Sequence, residues 1–206
     1  MKSMTRSSLS IAAGLVLATG MGTAVAEMPA AAEACVACHS DNGASTDATV
    51  PNIGGVGSFF LENQFALFGE EARPCGAEAF ADVDAENHCT AVQALSEDDA
   101  MALAEYYGEQ EYVPFEQEVD PTMADMGESI HADSCDRCHT EAGSEPFDDA
   151  GILAGQPKAY MIAQFKHYKA GDRWQPESMA ETMDLTEDQM KQLAEYYAAE
   201  GMTRFE

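Results

Sequence analysis

The chain has 206 residues, room for one ordinary domain or two small ones, and its 46% hydrophobic and 8% aromatic content is enough for a packed core. Ten Lys plus Arg face 37 Asp plus Glu, a formal charge of -27, which argues against nucleic acid or an anionic membrane surface as a partner because both need clustered cations. Six cysteines are too few for a disulfide-dense scaffold of this length, so their spacing matters more than their number.

Residues 1–26 read as an export signal. Lys2 and Arg6 give a short positive region, Ile11 to Met21 an apolar one, and Ala24-Val25-Ala26 has the A-x-A pattern of a cleavage site. The apolar run falls short of the ~20 residues a spanning helix needs. The mature chain is expected to begin at Glu27, to carry no transmembrane segment and to be periplasmic, where disulfides are permitted. Loss of Lys2 and Arg6 leaves 8 bases against 37 acids, a charge of -29.

The remainder is a duplication. Cys35-Val36-Ala37-Cys38-His39 recurs as Cys135-Asp136-Arg137-Cys138-His139, an offset of 100. The same offset carries Ile53 to Leu153, Gly55 to Gly155, Phe60 to Tyr160, Gln64 to Gln164 and Phe65 to Phe165. Leu103-Ala104-Glu105-Tyr106-Tyr107 returns as Leu193-Ala194-Glu195-Tyr196-Tyr197 at an offset of 90, so the first copy carries about ten extra residues before Leu103. A repeat of this period predicts two tandem domains, 27–119 and 120–206, with the boundary near Glu118 to Pro121.

Each copy reads as mostly helical, and no strand signal of useful length is present. Ser58 to Gly69 and Pro157 to Ala170 have aromatics at helical spacing and no interior breaker. Ser96 and Thr186, each followed by acidic residues, start two terminal helices with capping-box character. Those helices place Leu103, Tyr106 and Tyr107, or Leu193, Tyr196 and Tyr197, near one face, which is expected to be core. About 90 residues with few helices make a small domain that gains much from a large internal ligand.

C-x-x-C-H carries the chemistry. In an exported protein it is the attachment signature of a c-type haem. Two thiols at this spacing add to two haem vinyl groups, and the adjacent His reaches the iron. A redox dithiol would need a βαβ setting, and zinc a second ligand pair within each copy. The expectation is two covalently bound haem c groups, with Cys35, Cys38, Cys135 and Cys138 as anchors and His39 and His139 as proximal ligands.

The sixth ligand must lie later in each copy. In the second, Met179, Met183 and Met190 are available, and His167 falls inside a predicted helix where it suits a surface or propionate contact. Met179, in a loop just before the final helix, is the expected ligand, with Met183 next. The first copy has no Met between His39 and Leu95 but has His88 seven residues before Leu95, in a predicted loop, while Met179 lies six before Leu185. His88 is the expected distal ligand, giving a bis-His haem. An open or water-bound iron and ligation by Cys89 are the alternatives. Cys75 and Cys89, the two cysteines outside the haem motifs, lie in the stretch that carries the extra residues and are expected to pair. Such a loop of about 15 residues would stabilise by ~3 kcal/mol in the chain-entropy model.

The tandem pattern resembles the di-haem cytochromes c that include cytochrome c4 and the cytochrome subunit of flavocytochrome c sulfide dehydrogenase. The resemblance covers essentially the whole mature chain and is sharper in the second half. Tyr112-x-Pro114-x-x-Gln117, Asp120, Ala124-Asp125-x-Gly127, and His131 four residues before Cys135 look like the linker and second motif of the sulfide dehydrogenase subunit. Ile152-Leu153-Ala154-Gly155-Gln156 is shared with cytochrome c4, Met179-Ala180 falls where the family's Met ligand falls, and Pro51-Asn52-Ile53-Gly54-Gly55 is nearer generic cytochrome c4.

The resemblance implies an all-α fold of two tandem class I cytochrome c domains related by a pseudo-twofold duplication. In these families both irons usually carry His and Met, so the first copy departs from the pattern. The implied role is electron transfer without catalytic residues, as the cytochrome subunit or acceptor of a flavin-dependent sulfide dehydrogenase, with a soluble acceptor or terminal oxidase downstream. A free cytochrome c4-like carrier to a terminal oxidase is the second reading. A haem enzyme or sensor using an open first haem is the third. No Ser/His/Asp arrangement, phosphate-binding Gly loop or H-E-x-x-H is present.

The charge is unevenly divided. Residues 27–119 hold 19 acids and one base, Arg73, while residues 120–206 hold 18 acids and seven bases. Lys158, Lys166, Lys169 and Arg173 around one predicted helix are expected to form a local basic patch. The first domain is expected to steer a basic redox partner, with adaptation to high salt as the other use of the acidity.

Overall fold

The computed structural model describes residues 27–75 and 86–205, and the predicted leader therefore lies outside the described residues. After a short 3₁₀ turn at Ala30–Ala32, the first half runs through α1 (Glu33–His39), α2 (Ser58–Gly69), α3 (Glu86–Gln93) and α4 (Glu97–Gly108). The second runs through α5 (Pro121–Ser134), α6 (Thr140–Gly143), α7 (Lys158–Ala170), α8 (Glu177–Ala180) and α9 (Glu187–Arg204). Among the described residues there is no strand, and the fold is all-α.

Helix ends follow local chemistry. The Ser96 side chain accepts from the Asp99 backbone N–H at the start of α4. Thr186 and Gln189 close a full capping box at the start of α9. Asp120 caps α5 through the N–H groups of Thr122 and Met123, and Pro121 takes the first helical position, where a missing N–H costs nothing. Two helices depart from the sequence reading. His88 lies in α3 rather than in a loop, and Met179 lies in the single turn of α8.

The tyrosine-bearing faces of α4 and α9 are core, as expected. Leu61, Leu103, Ala104 and Tyr107 pack in one cluster, and Met161, Phe165, Leu193 and Tyr197 in the other. In the second half α5 crosses α9 so closely that a Cβ on Gly127 would lie 2.1 Å from the Gln192 carbonyl oxygen.

The two halves repeat several of each other's hydrogen bonds. The Gly43 carbonyl accepts from Ile53 and Gly54, and the Gly143 carbonyl from Leu153 and Ala154. Gly55 donates to Tyr107 at 2.8 Å and Gly155 to Tyr197 at 2.8 Å. Both glycines have positive φ, 72° and 76°, which only glycine adopts freely. The halves also dock. Asn52 donates its N–H to the Gln156 side chain, which donates back to the Asn52 carbonyl, so one buried amide closes a reciprocal pair across the seam. Tyr112 donates its hydroxyl to the Ala154 carbonyl, and Trp174 its N–H to the Ala72 carbonyl.

Candidate haem sites

Both C-x-x-C-H segments open onto one continuous cavity of about 780 Å³. Cys35, Cys38 and His39 enter from the first half, and Cys135, Cys138 and His139 from the second. A cavity of this size, with mostly apolar walls, suits a large planar ligand. None of the four motif cysteines is in a disulfide, so the thiols stay available for addition. Among the described residues no group of three or more His, Cys, Asp or Glu side chains is placed to hold a bare metal ion.

The two motif histidines face carbonyls at matching positions of the two copies. His39 Nδ1 lies 3.0 Å from the Pro51 carbonyl, which fixes the ring and leaves Nε2 free to ligate. Burial lowers its pKa to about 4, against an opposing pull from the Pro51 carbonyl. Burial and then the charge of His131 lower His139 to about 4, while Asp148 and the Gly151 carbonyl pull it back. Pro51 and Gly151 stand at the same offset of 100. His139 Nδ1 is buried without a partner at strict hydrogen-bond geometry, although the Gly151 carbonyl lies close enough to act on it. Neutral imidazoles are the form that binds iron, so the residues fit the group the motif implies.

The candidates for the sixth position separate. Met179 and Met183 both line the cavity. Met190 packs in the core of the second half. His88 lines the cavity on the opposite side of the seam, with its ring 4.2 Å from that of Phe68. Part of its surface is exposed, yet burial of the ring, the charge of His39 and that of Arg73 lower its pKa to about 4. Cys89 is bonded to Cys75, so its sulfur is not an iron ligand. His167 lines the cavity too, and its Nδ1 lies 3.6 Å from Asp172.

The basic patch is corrected. Lys158 bonds to Glu195 at 2.8 Å and to the Glu118 carbonyl, and Lys169 bonds to Asp184. Arg173 is buried at the seam. Among the described residues only Lys166 of the four stands exposed without an acidic partner. In a chain this acidic Lys158 and Lys169 find carboxylates, and Arg173 serves the interior. The inward placement of Arg173 and of its counterpart Arg73, both lining the cavity, is what sequence reasoning missed. Their offset of 100 was the available signal.

No protein-family model matches the chain. The thiosulfate dehydrogenase electron acceptor of Thiomonas intermedia (strain K12) is 28% identical over an alignment of 193 residues, and the match covers 86% of this chain and 83% of that protein. Cytochrome c4 of Acidithiobacillus ferrooxidans superposes with a TM-score of 0.66 at 25% identity, covering 81% of this chain and 99% of that one. This chain has the fold of the di-haem cytochromes c. Reduced cytochrome c4 of Pseudomonas stutzeri has the same fold, with a TM-score of 0.66, 23% identity, 81% of this chain and 93% of that one. The thiosulfate dehydrogenase TsdBA of Marichromatium purpuratum shares the fold at a TM-score of 0.63 and 24% identity. That match takes in 80% of this chain but 36% of the other, so the di-haem cytochrome spans about a third of it. The two C-x-x-C-H segments and the cavity they share fit two covalently bound haem c groups and a role in electron transfer.

Proposed function

We propose that this cytochrome is the electron acceptor of an exported dehydrogenase that oxidises a reduced inorganic sulfur compound. The observation that carries this reading is the match to the Thiomonas thiosulfate dehydrogenase electron acceptor over most of both chains. The linker and second-motif residues from Tyr112 to His131 support the related reading, a flavin-dependent sulfide dehydrogenase as donor. The match to Acidithiobacillus cytochrome c4, over 99% of that chain and 81% of this one, favours a second reading, a free carrier between a dehydrogenase and a terminal oxidase.

Within this proposal, Cys35, Cys38, Cys135 and Cys138 form the thioethers, and His39 and His139 are the proximal ligands. Met179 is the distal ligand of the second haem and His88 that of the first. When bound, the irons supply one-electron couples. The chain's own residues do the rest: Pro51 orients His39, the apolar walls exclude water, and a thioether at one site against an imidazole at the other sets the two potentials apart. The domains divide between Glu118 and Pro121, and cleavage after Ala26 delivers the protein to the periplasm.

The test is reduction of the purified oxidised cytochrome in a rapid mixing experiment. One arm offers thiosulfate dehydrogenase with thiosulfate, another a flavin-dependent sulfide dehydrogenase with sulfide. Fast reduction of both haems in either arm identifies the donor class. Slow reduction in both, with fast oxidation by a terminal oxidase, would leave the free-carrier reading in its place.

A further inference from the structure

A second groove, of about 760 Å³, crosses the seam where α2 and the end of α4 meet the loop between α6 and α7. Backbone contact between the halves shapes it, since a Cβ on Gly57 would lie 2.4 Å from the Pro146 carbonyl oxygen. Two exposed phenylalanines line it, one from each half. Phe59 is 57% exposed and Phe147 89%. Phe59 is the second residue of α2. After it Phe60 turns to the haem cavity and Leu61 to the core, which leaves Phe59 outward. The turn carrying Phe147 is held by its own N–H, which donates to the Glu145 carboxylate at 3.2 Å. Exposed aromatics gathered in one polar-rimmed hollow mark a contact surface.

The rim is acidic. Glu105, Glu109, Glu111, Asp148 and Asp149 line the groove. Among the described residues no Lys, Arg or His lines it, and none of the five carboxylates is in an ion pair. Only Asp148 has local work, accepting from the N–H and hydroxyl of Thr140. The floor adjoins the candidate haem sites. Phe60, Asp149 and Ile152 line both this groove and the cavity that the two haem motifs share. One layer of side chains therefore separates the two spaces. Electron transfer slows steeply with distance, so a thin wall is what a transfer contact needs.

We propose that this groove is the docking site of a protein redox partner, and that its occupant is a cationic segment of that partner in which Lys or Arg side chains flank an apolar one. The proposal rests on the electron-acceptor reading given above and names where the exchange takes place. Phe59 and Phe147 take the apolar side chain, and the carboxylates steer and orient the cations. Aromatic faces beside carboxylates also suit guanidinium and ammonium groups. The same charges turn away other occupants. A second copy of this chain, at a formal charge of -27, would set acid against acid, and an anionic lipid surface or a free sulfur oxyanion would be repelled likewise.

The test is electron-transfer kinetics of the full holoprotein. The two dehydrogenase arms described above, run on the unaltered protein, test the electron-acceptor reading by themselves. The groove is probed with a donor of stated chemistry, a lysine-rich soluble cytochrome c carrying zinc porphyrin. Its photoexcited porphyrin gives up one electron and becomes a cation radical, and a ferric haem of the acceptor becomes ferrous. Slow reduction by both dehydrogenases, with the groove effects below intact, would strike the donor assignment and leave the docking site standing.

Glu109→Lys puts a cation at the C-terminal end of α4, where a helix favours one, so the fold is kept. It is expected to lower the association rate about tenfold at low salt. Asp125→Lys makes the same charge change on an exposed part of α5 outside the groove. Its effect should stay below about twofold. Phe147→Ser should weaken the complex about tenfold at low and high salt alike, because apolar contact is not screened, with both haem spectra unchanged. Equal effects of Glu109→Lys and Asp125→Lys would mean that net charge alone steers, and would overturn the proposal. A Phe147→Ser complex as tight as the parent's overturns it too. So does a parent protein that sediments as a dimer and that Phe147→Ser makes monomeric, which would assign the groove to a second copy.

Discussion

In the proposed ligand set, His88 decides what kind of redox centre the first domain holds. No methionine lies between His39 and Leu95, so the thioether available in the second domain is missing there. Its imidazole lines the cavity against Phe68, and its low pKa keeps a nitrogen lone pair free near neutral pH. His88→Ala is expected to abolish a bis-imidazole low-spin EPR signal from the first haem and to open that iron to carbon monoxide, while the second haem keeps its spectrum. An unchanged spectrum would place the ligand elsewhere. The C-x-x-C-H pairs, His88 and Met179 can be proposed from the residues alone because ligand chemistry restricts the choice to a few side-chain types. The exclusion of Cys89 was not, because only its bond to Cys75 removes that thiol. Arg73 and Arg173 were visible as charges, but nothing local says that a charged side chain turns inward.

At the scale of elements, the capping signals were the most readable. Ser96 and Thr186 start α4 and α9 where their side-chain chemistry says they should. Asp120 with Pro121 carries an equally good start signal for α5. Helix α3 had no such signal, and its Asn, Thr and Val are poor helix formers. It is held by packing on α2 and by the Cys75–Cys89 disulfide, which closes the stretch carrying the extra residues of the first domain. Cys75→Ser should cost about 3 kcal/mol of stability in a denaturant titration of the oxidised protein, by loss of loop-closure entropy. It should also weaken the presentation of His88, seen as a mixture of first-haem spectra. A second test lies at the α5–α9 crossing. Gly127→Ala pushes a methyl into the Gln192 carbonyl, and overpacking of this kind costs about 1–3 kcal/mol. The loss should appear as a lower thermal midpoint. A variant as stable as the parent would mean that the two helices part without cost.

For the whole molecule, charge and duplication are the governing facts. Residues 27–119 hold 19 carboxylates and the single base Arg73, and that base is buried. The outward face of the first domain is therefore acidic without relief among the described residues. Association with a basic redox partner should be steered, with a rate that falls about tenfold or more between low and physiological salt. A rate indifferent to salt would assign the acidity to salt adaptation instead. Most of the second domain's lysines are tied to carboxylates, so it offers no comparable cationic face.

The sequence by itself determined the duplication, the all-helical class, the two haem motifs and the sign of the charge. Those features are local, since a cap, a C-x-x-C-H segment or an apolar period acts within a few residues. The tertiary structure decided how the two copies share one interior. Gln156 pairs with Asn52 across 104 residues, Gln64 joins Arg73 and Arg173, and both motifs face one cavity. Which side of a repeat turns toward its twin depends on packing between the copies, and no spacing within either copy encodes it.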